Sequence, residues 1–268
     1  MFVLQCDRAY LYGHPERVLT AQEQTRYEET LTQRSIGIPA QYITGHQEFW
    51  GMDLIVSPAV LIPRPETEHV IETVMNRMGR TSGLTGRTFL FDRRAGESTV
   101  PKLRIVDVGT GSGCIALALA KEFSRAEIHA TERSAAALEI ARANAARHQS
   151  NRIHFHQTDL LHGIDRNAFD FVVSNPPYVG ASEEEQVQLE VRKFEPRTAV
   201  FAGSTGMEVI DRLIPQAREV LRPGGWLVME ISGTIADRVK ESLATWHNVQ
   251  ITNDLAGIPR VVSAQRVS

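Results

Sequence analysis

Cysteine is scarce: Cys6 and Cys114 are the only two in 268 residues, too few for a disulfide framework or a cysteine metal set, and in keeping with a reducing cytoplasm. Long apolar runs are missing as well. The longest, such as Cys114 to Ala120, fall far short of the roughly 20 residues a spanning helix needs, and the N-terminus has no apolar stretch of signal-peptide length. A soluble, cytoplasmic chain with no membrane partner is expected. Nor is there an excess of charge of one sign. With 29 Lys plus Arg against 32 Asp plus Glu the net charge is -3, so no long-range field draws the chain to a nucleic-acid backbone and no direct nucleic-acid partner is expected. Internal repeats and low-complexity tracts are absent too. What remains is a composition near the globular average, 42% hydrophobic and 23% charged, which excludes intrinsic disorder and suffices for one large domain plus a small appendage.

Residues 1–44 scatter Leu19, Tyr27, Leu31 and Ile36 among polar residues at loosely helical spacing, which predicts a small helical piece. Between Gly45 and Pro65 the texture changes to Phe49, Trp50, Leu54, Ile55, Val56, Val60, Leu61 and Ile62, broken by Gly51 and Pro58. This predicts two short strands and a turn. Helical spacing returns over 66–78 with Val70, Ile71, Val74 and Met78, and residues 79–102 read as a polar, glycine-bearing loop apart from Phe89, Leu90 and Phe91. From Leu103 onward strands and helices alternate: Arg104 to Val108, a helix from Cys114, Ile128 to Thr131, a helix from Ser134 to His148, Ile153 to His156, Phe169 to Ser174, the amphipathic Val209 to Leu221, and Trp226 to Ile231. That rhythm argues for an α/β fold on a parallel sheet, with Val261 to Ala264 as a final strand.

The strongest local signal is Asp107-Val108-Gly109-Thr110-Gly111-Ser112-Gly113, placed between a strand and a helix. Glycines there let backbone approach a ligand closely. The spacing differs from the Gly-x-Gly-x-x-Gly of dinucleotide sites and lacks the Gly-Lys-Ser/Thr ending of a phosphate loop. Glu132 stands at the end of the next strand, where a carboxylate accepts hydrogen bonds from both hydroxyls of a ribose. Asp159 and Leu160 follow the strand after that and are placed to border an adenine ring. Together these features resemble the cofactor site of class I S-adenosylmethionine methyltransferases. A lone glycine loop is often only a tight turn, and a lone strand-end Glu is often only solvated; their joint spacing is the argument.

Asn175-Pro176-Pro177-Tyr178 directly follows the strand Phe171 to Ser174, at the carboxyl end of a sheet strand where open α/β folds form their ligand crevice. Methylating an amide or amino nitrogen is difficult because its lone pair is delocalised, so acceptors must hold its hydrogens. The Asn175 side-chain oxygen and the Pro176 carbonyl are the candidate acceptors, and Tyr178 is the candidate platform against the flat group. Two consecutive prolines remove two N–H donors and keep those carbonyls out of regular structure. The bland alternative is a bare turn, since Asn-Pro starts many.

Asn-Pro-Pro-Tyr also occurs in enzymes that methylate exocyclic nitrogens of adenine and guanine, so the flanking sequence carries the distinction. Tyr42-Ile43-Thr44-Gly45, Glu48-Phe49-Trp50-Gly51, the run Leu61-Ile62-Pro63-Arg64-Pro65-Glu66-Thr67-Glu68, Glu195-Pro196, and Asp254-Leu255-Ala256-Gly257 with Arg260-Val261-Val262 closely resemble the bacterial peptide chain release factor glutamine methyltransferases. The resemblance covers nearly the whole chain. It implies a Rossmann-like methyltransferase domain over 66–268, a β-hairpin linker over 45–65, and a substrate-docking helical domain over 1–44. The implied reaction moves a methyl from S-adenosyl-L-methionine to the side-chain amide of the Gly-Gly-Gln glutamine in class I release factors. A monomer is expected, although the sequence itself carries no signal of oligomeric state. The implied cofactor contacts are Asp107, Gly109, Thr110, Gly111, Ser112, Gly113, Glu132, Asp159, Leu160 and Asn175. Asn175, Pro176, Pro177 and Tyr178 would hold the amide, with Asn175, Pro176 and Tyr178 as the catalytic set. Three departures stand out: a helical domain short by one or two helices, Glu132 where aspartate is usual, and a long 79–102 connector. The nearest rival is glutamine methylation of a ribosomal protein. A non-catalytic binding module would have lost part of the glycine loop or of Asn-Pro-Pro-Tyr, and both are intact.

Other residues carry plainer expectations. The nine histidines, among them His154, His156 and His162, show no ligand spacing, so no metal is expected. Glu183, Glu184 and Glu185 read as a solvated helix start, and Trp50 as a core or hairpin anchor rather than a substrate contact.

Overall fold

The computed structural model describes residues 1–79 and 102–267; the Phe89-Leu90-Phe91 stretch lies outside them. Three helices come first: α1 (Arg8–Gly13), α2 (Ala21–Ser35) and α3 (Ala40–Thr44). A capping box starts α2, with Glu23 N–H donating to Thr20 Oγ1 at 3.2 Å and Thr20 N–H donating to Glu23 Oε2 at 2.9 Å. No residue of these helices is buried; they are held by caps and local pairs, by the Arg34–Glu190 ion pair at 2.6 Å, and by Tyr42 of α3, which packs against Val56, Val60 and Ala137 and donates its phenol to the Val60 carbonyl at 2.6 Å.

The hairpin is present as β1 (His46–Phe49) and β2 (Met52–Ile55), paired antiparallel. Its two-residue turn, Trp50-Gly51, needs positive φ at both positions, 53° and 66°, the geometry that matches the twist of the strands. A bulky residue is strained there. Trp50 is held by three groups: its N–H donates to Glu68 Oε1 at 2.8 Å, its indole Nε1 donates to Glu122 Oε1 at 2.9 Å, and its carbonyl accepts from Lys121 at 3.0 Å. Its role as hairpin anchor follows. After a 3-10 turn at Pro65–Thr67, α4 (Glu68–Arg77) buries Val70, Ile71 and Val74 completely, each contributing roughly 1.5–3 kcal/mol by leaving water.

The main sheet has seven strands. Along the chain, β3 (Arg104–Val108), α5 (Cys114–Glu122), β4 (Glu127–Glu132), α6 (Ala135–Arg147), β5 (Ile153–Gln157) and β6 (Phe169–Ser174) build one half. A short parallel pair follows, β7 (Val179–Gly180) with β8 (Phe201–Gly203), enclosing α7 (Leu189–Phe194) and α8 (Arg197–Val200). Then come α9 (Ile210–Val220), β9 (Leu221–Glu230), α10 (Ala236–Ser242), β10 (His247–Asn253) and β11 (Pro259–Gln265). The strand order is β10-β11-β9-β6-β3-β4-β5. Strands β3, β4, β5, β6 and β9 run parallel, but β11 pairs antiparallel with β9, and β10 with β11. The sheet is therefore mixed rather than wholly parallel. The reason is the short Asp254–Ile258 turn, closed by Asp254 N–H to the Ile258 carbonyl at 2.8 Å, since so short a connection joins only antiparallel neighbours. The edge strand β10 was not expected: its His-Asn-Val-Gln-Ile-Thr-Asn run is mostly polar, as an exposed edge requires.

Side chains alternate across the sheet with period two. Ile105, Val173, Val228 and Val261 face one core, shared with the hairpin, α4 and α5. Val106, Val172, Leu227 and Val262 face the other, shared with α9 and α10. The order reverses between β3 and β6, and Ser174 Oγ donates to the Val108 carbonyl at 2.8 Å to tie the two strand ends. Open α/β sheets form their ligand crevice at such a reversal.

Candidate active site

Beyond β3 the chain passes through Gly109, Gly111 and Gly113 at φ of 70°, 55° and 84°. A Cβ at Gly109 or Gly111 would meet nothing within 4 Å, so these two positions face open space, and only a residue without Cβ adopts such φ cheaply. The loop is pinned from behind, because Gly109 and Thr110 both donate backbone N–H to the Thr131 carbonyl, at 2.9 and 3.0 Å. Asn144 of α6 locks it to the hairpin: its Nδ2 donates to the carbonyls of Ser112 and Ile55, and its Oδ1 accepts from Ile55 N–H at 2.7 Å.

In front of the loop lies a cleft of about 300 Å³. Its walls include Gly109, Thr110, Gly111 and Ser112, Glu132 at the end of β4, Asp159 and Leu160 beyond β5, and Asn175 beyond β6. Eight of the ten expected cofactor contacts therefore meet around one space. The other two do not reach it. Asp107 is fully buried beneath the loop, its Oδ2 taken by the Thr110 hydroxyl at 2.5 Å and by Ala116 N–H at 3.2 Å; it supports the turn rather than lining the cleft. Gly113 is turned towards α6, where a Cβ would stand 3.3 Å from Ala141; its job is close helix packing. Burial pushes the Asp107 carboxyl up to about 7 and the neighbouring Cys114 thiol up to about 12, so that thiol is no nucleophile at neutral pH.

Glu132 has both oxygens in use, Oε2 accepting from Gly111 N–H at 3.0 Å and Oε1 from Ser134 N–H at 2.9 Å. Each oxygen keeps a further lone pair. Asp159 is paired with Arg212, and Leu160 sits at a φ of 51°, an unusual backbone for a branched residue.

A second cavity of about 180 Å³ adjoins the first. Pro176, Tyr178 and Glu230 line it, while Asn175, Pro177, Leu61 and Arg64 line both. Asn175 thus stands in the wall common to the two spaces. Its Nδ2 donates to Thr67 Oγ1 at 3.0 Å, Thr67 Oγ1 donates to Glu230 Oε2 at 2.6 Å, and Tyr178 donates its phenol to Glu230 Oε1 at 3.0 Å. Burial, reinforced by the Glu230 charge, holds the Tyr178 phenol far above its usual range. Burial likewise raises the Glu230 carboxyl, against the two hydrogen bonds it accepts. The segment 61–67 is clamped into this wall by buried Glu195, whose Oε2 accepts from Ile62 N–H at 3.0 Å and whose Oε1 pairs with Arg64.

Thr67 and Glu230 were not singled out for their chemistry by sequence reasoning. The available signal was a carboxylate at the end of the apolar strand run Leu227-Val228-Met229, where an unpaired charge is costly. Trp50 lines neither cavity, and Glu183 to Glu185 fall in a 3-10 turn at Ala181–Gln186 with Glu184 paired to Arg197. Strand register brings together what histidine spacing did not suggest: Glu127, His129 and His154 place ligand atoms within 4.8 Å of one another. That carboxylate already pairs with Arg104 at 3.2 Å and faces Lys102 at 3.8 Å, and none of the three residues lines the cleft. Among the described residues no helix is long and apolar enough to cross a membrane.

The family model for the methyltransferase small domain matches residues 93–193, and the one for the PrmC N-terminal domain matches residues 1–45. A release factor glutamine methyltransferase of Koribacter versatilis is 51% identical over 99% of this chain and 88% of its own length. The protein of the same name from Coxiella burnetii is 36% identical over 98% and 88%. A methyltransferase from Pyrococcus furiosus, 19% identical, superposes with a TM-score of 0.56 over 93% of this chain and all of the other, a likeness of fold. Both relatives bear the same name and align with nearly the whole of this chain, at 51% and 36% identity, and on that ground the chain belongs to the release factor glutamine methyltransferase family.

Proposed function

We propose that this protein transfers a methyl group from S-adenosyl-L-methionine to the side-chain amide nitrogen of the Gly-Gly-Gln glutamine in class I peptide chain release factors, in the cytoplasm where translation runs. The observation that carries the reading is the junction at Asn175. A cofactor-sized cleft and a smaller cavity adjoin there, and the Asn175 amino group is spent on Thr67.

The cleft suits an amino-acid nucleoside. Glycine backbone gives it close approach, Glu132 offers spare lone pairs on both oxygens to ribose hydroxyls, and Leu160 gives an apolar edge for a base. When bound, that cofactor supplies a methyl on a sulfonium, already joined to a good leaving group. The protein's task is then to present a nitrogen. With its amino group committed, Asn175 turns Oδ1 to accept one N–H of the incoming amide. No donor among the described residues engages the Pro176 carbonyl, which leaves it to accept the other. Holding both hydrogens twists the nitrogen lone pair out of conjugation and aims it, an effect of positioning rather than of a strong base. The proton surplus on nitrogen after methyl transfer passes to water. Residues 1–44 and the 45–65 hairpin form the docking side of the proposal, the methyltransferase domain running over 66–268.

The test is transfer of labelled methyl from S-adenosylmethionine to purified class I release factor, beside a copy with the Gly-Gly-Gln glutamine replaced and beside total ribosomal protein. Label confined to the intact factor is expected. Label on ribosomal protein instead would refute the substrate.

A further inference from the structure

We propose that Glu230 is the positioning residue of the amide site: through Thr67 it dictates which end of the Asn175 amide faces the substrate, and through Tyr178 it seats the ring beside it. The inference rests on the amide-methylation reading above and goes beyond it to a residue outside the Asn-Pro-Pro-Tyr turn.

The argument is a count of hydrogens. In its ionised form a carboxylate only accepts, and Glu230 sits between two hydroxyls, Thr67 Oγ1 at 2.6 Å and the Tyr178 phenol at 3.0 Å. Both hydroxyls must therefore point their single hydrogens at Glu230. Thr67 Oγ1 then has only lone pairs for its other neighbour, the Asn175 side chain at 3.0 Å. Only the amino end of that amide can meet it, so Oδ1 is left for the substrate cavity. A proton on Glu230 reverses the chain. The new O–H donates to Thr67, Thr67 donates onward to Asn175 Oδ1, and the amino group swings to face a substrate amide that itself brings only N–H donors to this contact. Donor then meets donor.

The groups facing Glu230 are Glu66 from the 3-10 turn, Arg260 from β11, the Tyr178 phenol and the Cys114 thiol at the start of α5. Glu66 raises the Glu230 carboxyl and Arg260 lowers it, while burial, the largest influence, raises it. Protonation of Glu230 therefore predicts an acid limb: transfer is lost as pH falls through a value that burial places above the ordinary glutamate one.

Four proteins give the kinetic test: wild type, Glu230→Gln, Thr67→Val and Thr67→Ser. Thr67→Val keeps shape without the hydroxyl, and Thr67→Ser restores the hydroxyl. Misplacing a contact of this kind costs roughly 100-fold in rate, so kcat in Glu230→Gln and Thr67→Val should fall by that order, with S-adenosylmethionine affinity within about twofold of wild type. Thr67→Ser should recover most of kcat, and Glu230→Gln should lose the acid limb. A second readout needs no substrate. In ¹⁵N-labelled protein, the Asn175 side-chain amide resonance, identified by its loss in Asn175→Ala, should shift in wild type on acidification and stay fixed in Glu230→Gln. If Glu230→Gln keeps both the wild-type kcat and its acid limb, or if the Asn175 resonance ignores pH in wild type, the inference is overturned. Wild type that labels no release factor refutes the proposed substrate, and the resonance then decides the role of Glu230 alone.

Discussion

Replacing Asp107 with asparagine should change how stability depends on pH while leaving the fold intact. The Asp107 carboxyl is fully buried, one oxygen has no hydrogen-bond partner, and burial with the nearby Glu132 raises it from 3.8 to about 7 despite the Thr110 and Ala116 hydrogen bonds. A group that holds its proton more tightly folded than unfolded favours the folded state at low pH. That stabilisation is fully present below the unfolded value and disappears as pH rises through about 7. From about pH 5.5 to about pH 8.5 the wild type should lose about 2 kcal/mol through this one group. The Asp107→Asn side chain has nothing to titrate. Its amide oxygen keeps the Thr110 and Ala116 bonds, and its amino group takes the unpartnered place that a carboxyl O–H occupies in the acid form, so the mismatch there is a constant offset. Urea denaturation of both proteins at the two pH values isolates the effect, because Glu230 and every other titrating group is common to both. The stability difference should move by about 2 kcal/mol in favour of the variant at the alkaline end. A difference that stays constant across that range would show that Asp107 is ionised throughout, and the burial argument would fail.

Glu132→Ala should weaken S-adenosylmethionine binding by roughly 10- to 100-fold, the worth of hydrogen bonds to a charged acceptor; unchanged affinity by calorimetry would mean that Glu132 holds only the loop. Asn144→Ala leaves one N–H and two carbonyls without partners in a fully buried position and should cost about 3 kcal/mol in denaturation. A loss under about 1 kcal/mol would show that water replaces it. Asn175→Ala should abolish methyl transfer while cofactor binding stays detectable, and an active variant would remove the proposed mechanism.

What could be read in the sequence was whatever the chain writes contiguously. The glycine loop and Asn-Pro-Pro-Tyr are single runs whose backbone chemistry is local, and Glu132 falls one strand later in a regular alternation of elements. The sheet was legible where its strands are apolar and illegible at β10, whose polar face belongs to an edge. Asp107 and Gly113 do not line the cleft, because adjacency in a loop does not say which side a residue faces: one points under the turn, the other at α6. The Thr67–Glu230 contact spans 163 positions, and no periodicity or spacing rule connects residues so far apart. Its members looked like a helix entry and a strand end.

That same contact sets an order of events during synthesis. A nascent chain reaches Asn175 with its glycine loop already made, but Thr67 finds its acceptor only after β9 has emerged, and the clamp of Ile62 and Arg64 waits for Glu195. Closing loops of that length is slow and comes late. A chain that stops short of Glu230 therefore carries an Asn175 amide free to turn either way, and on the proposed role of that amide methyl-transfer competence arrives with β9 rather than with the motif itself.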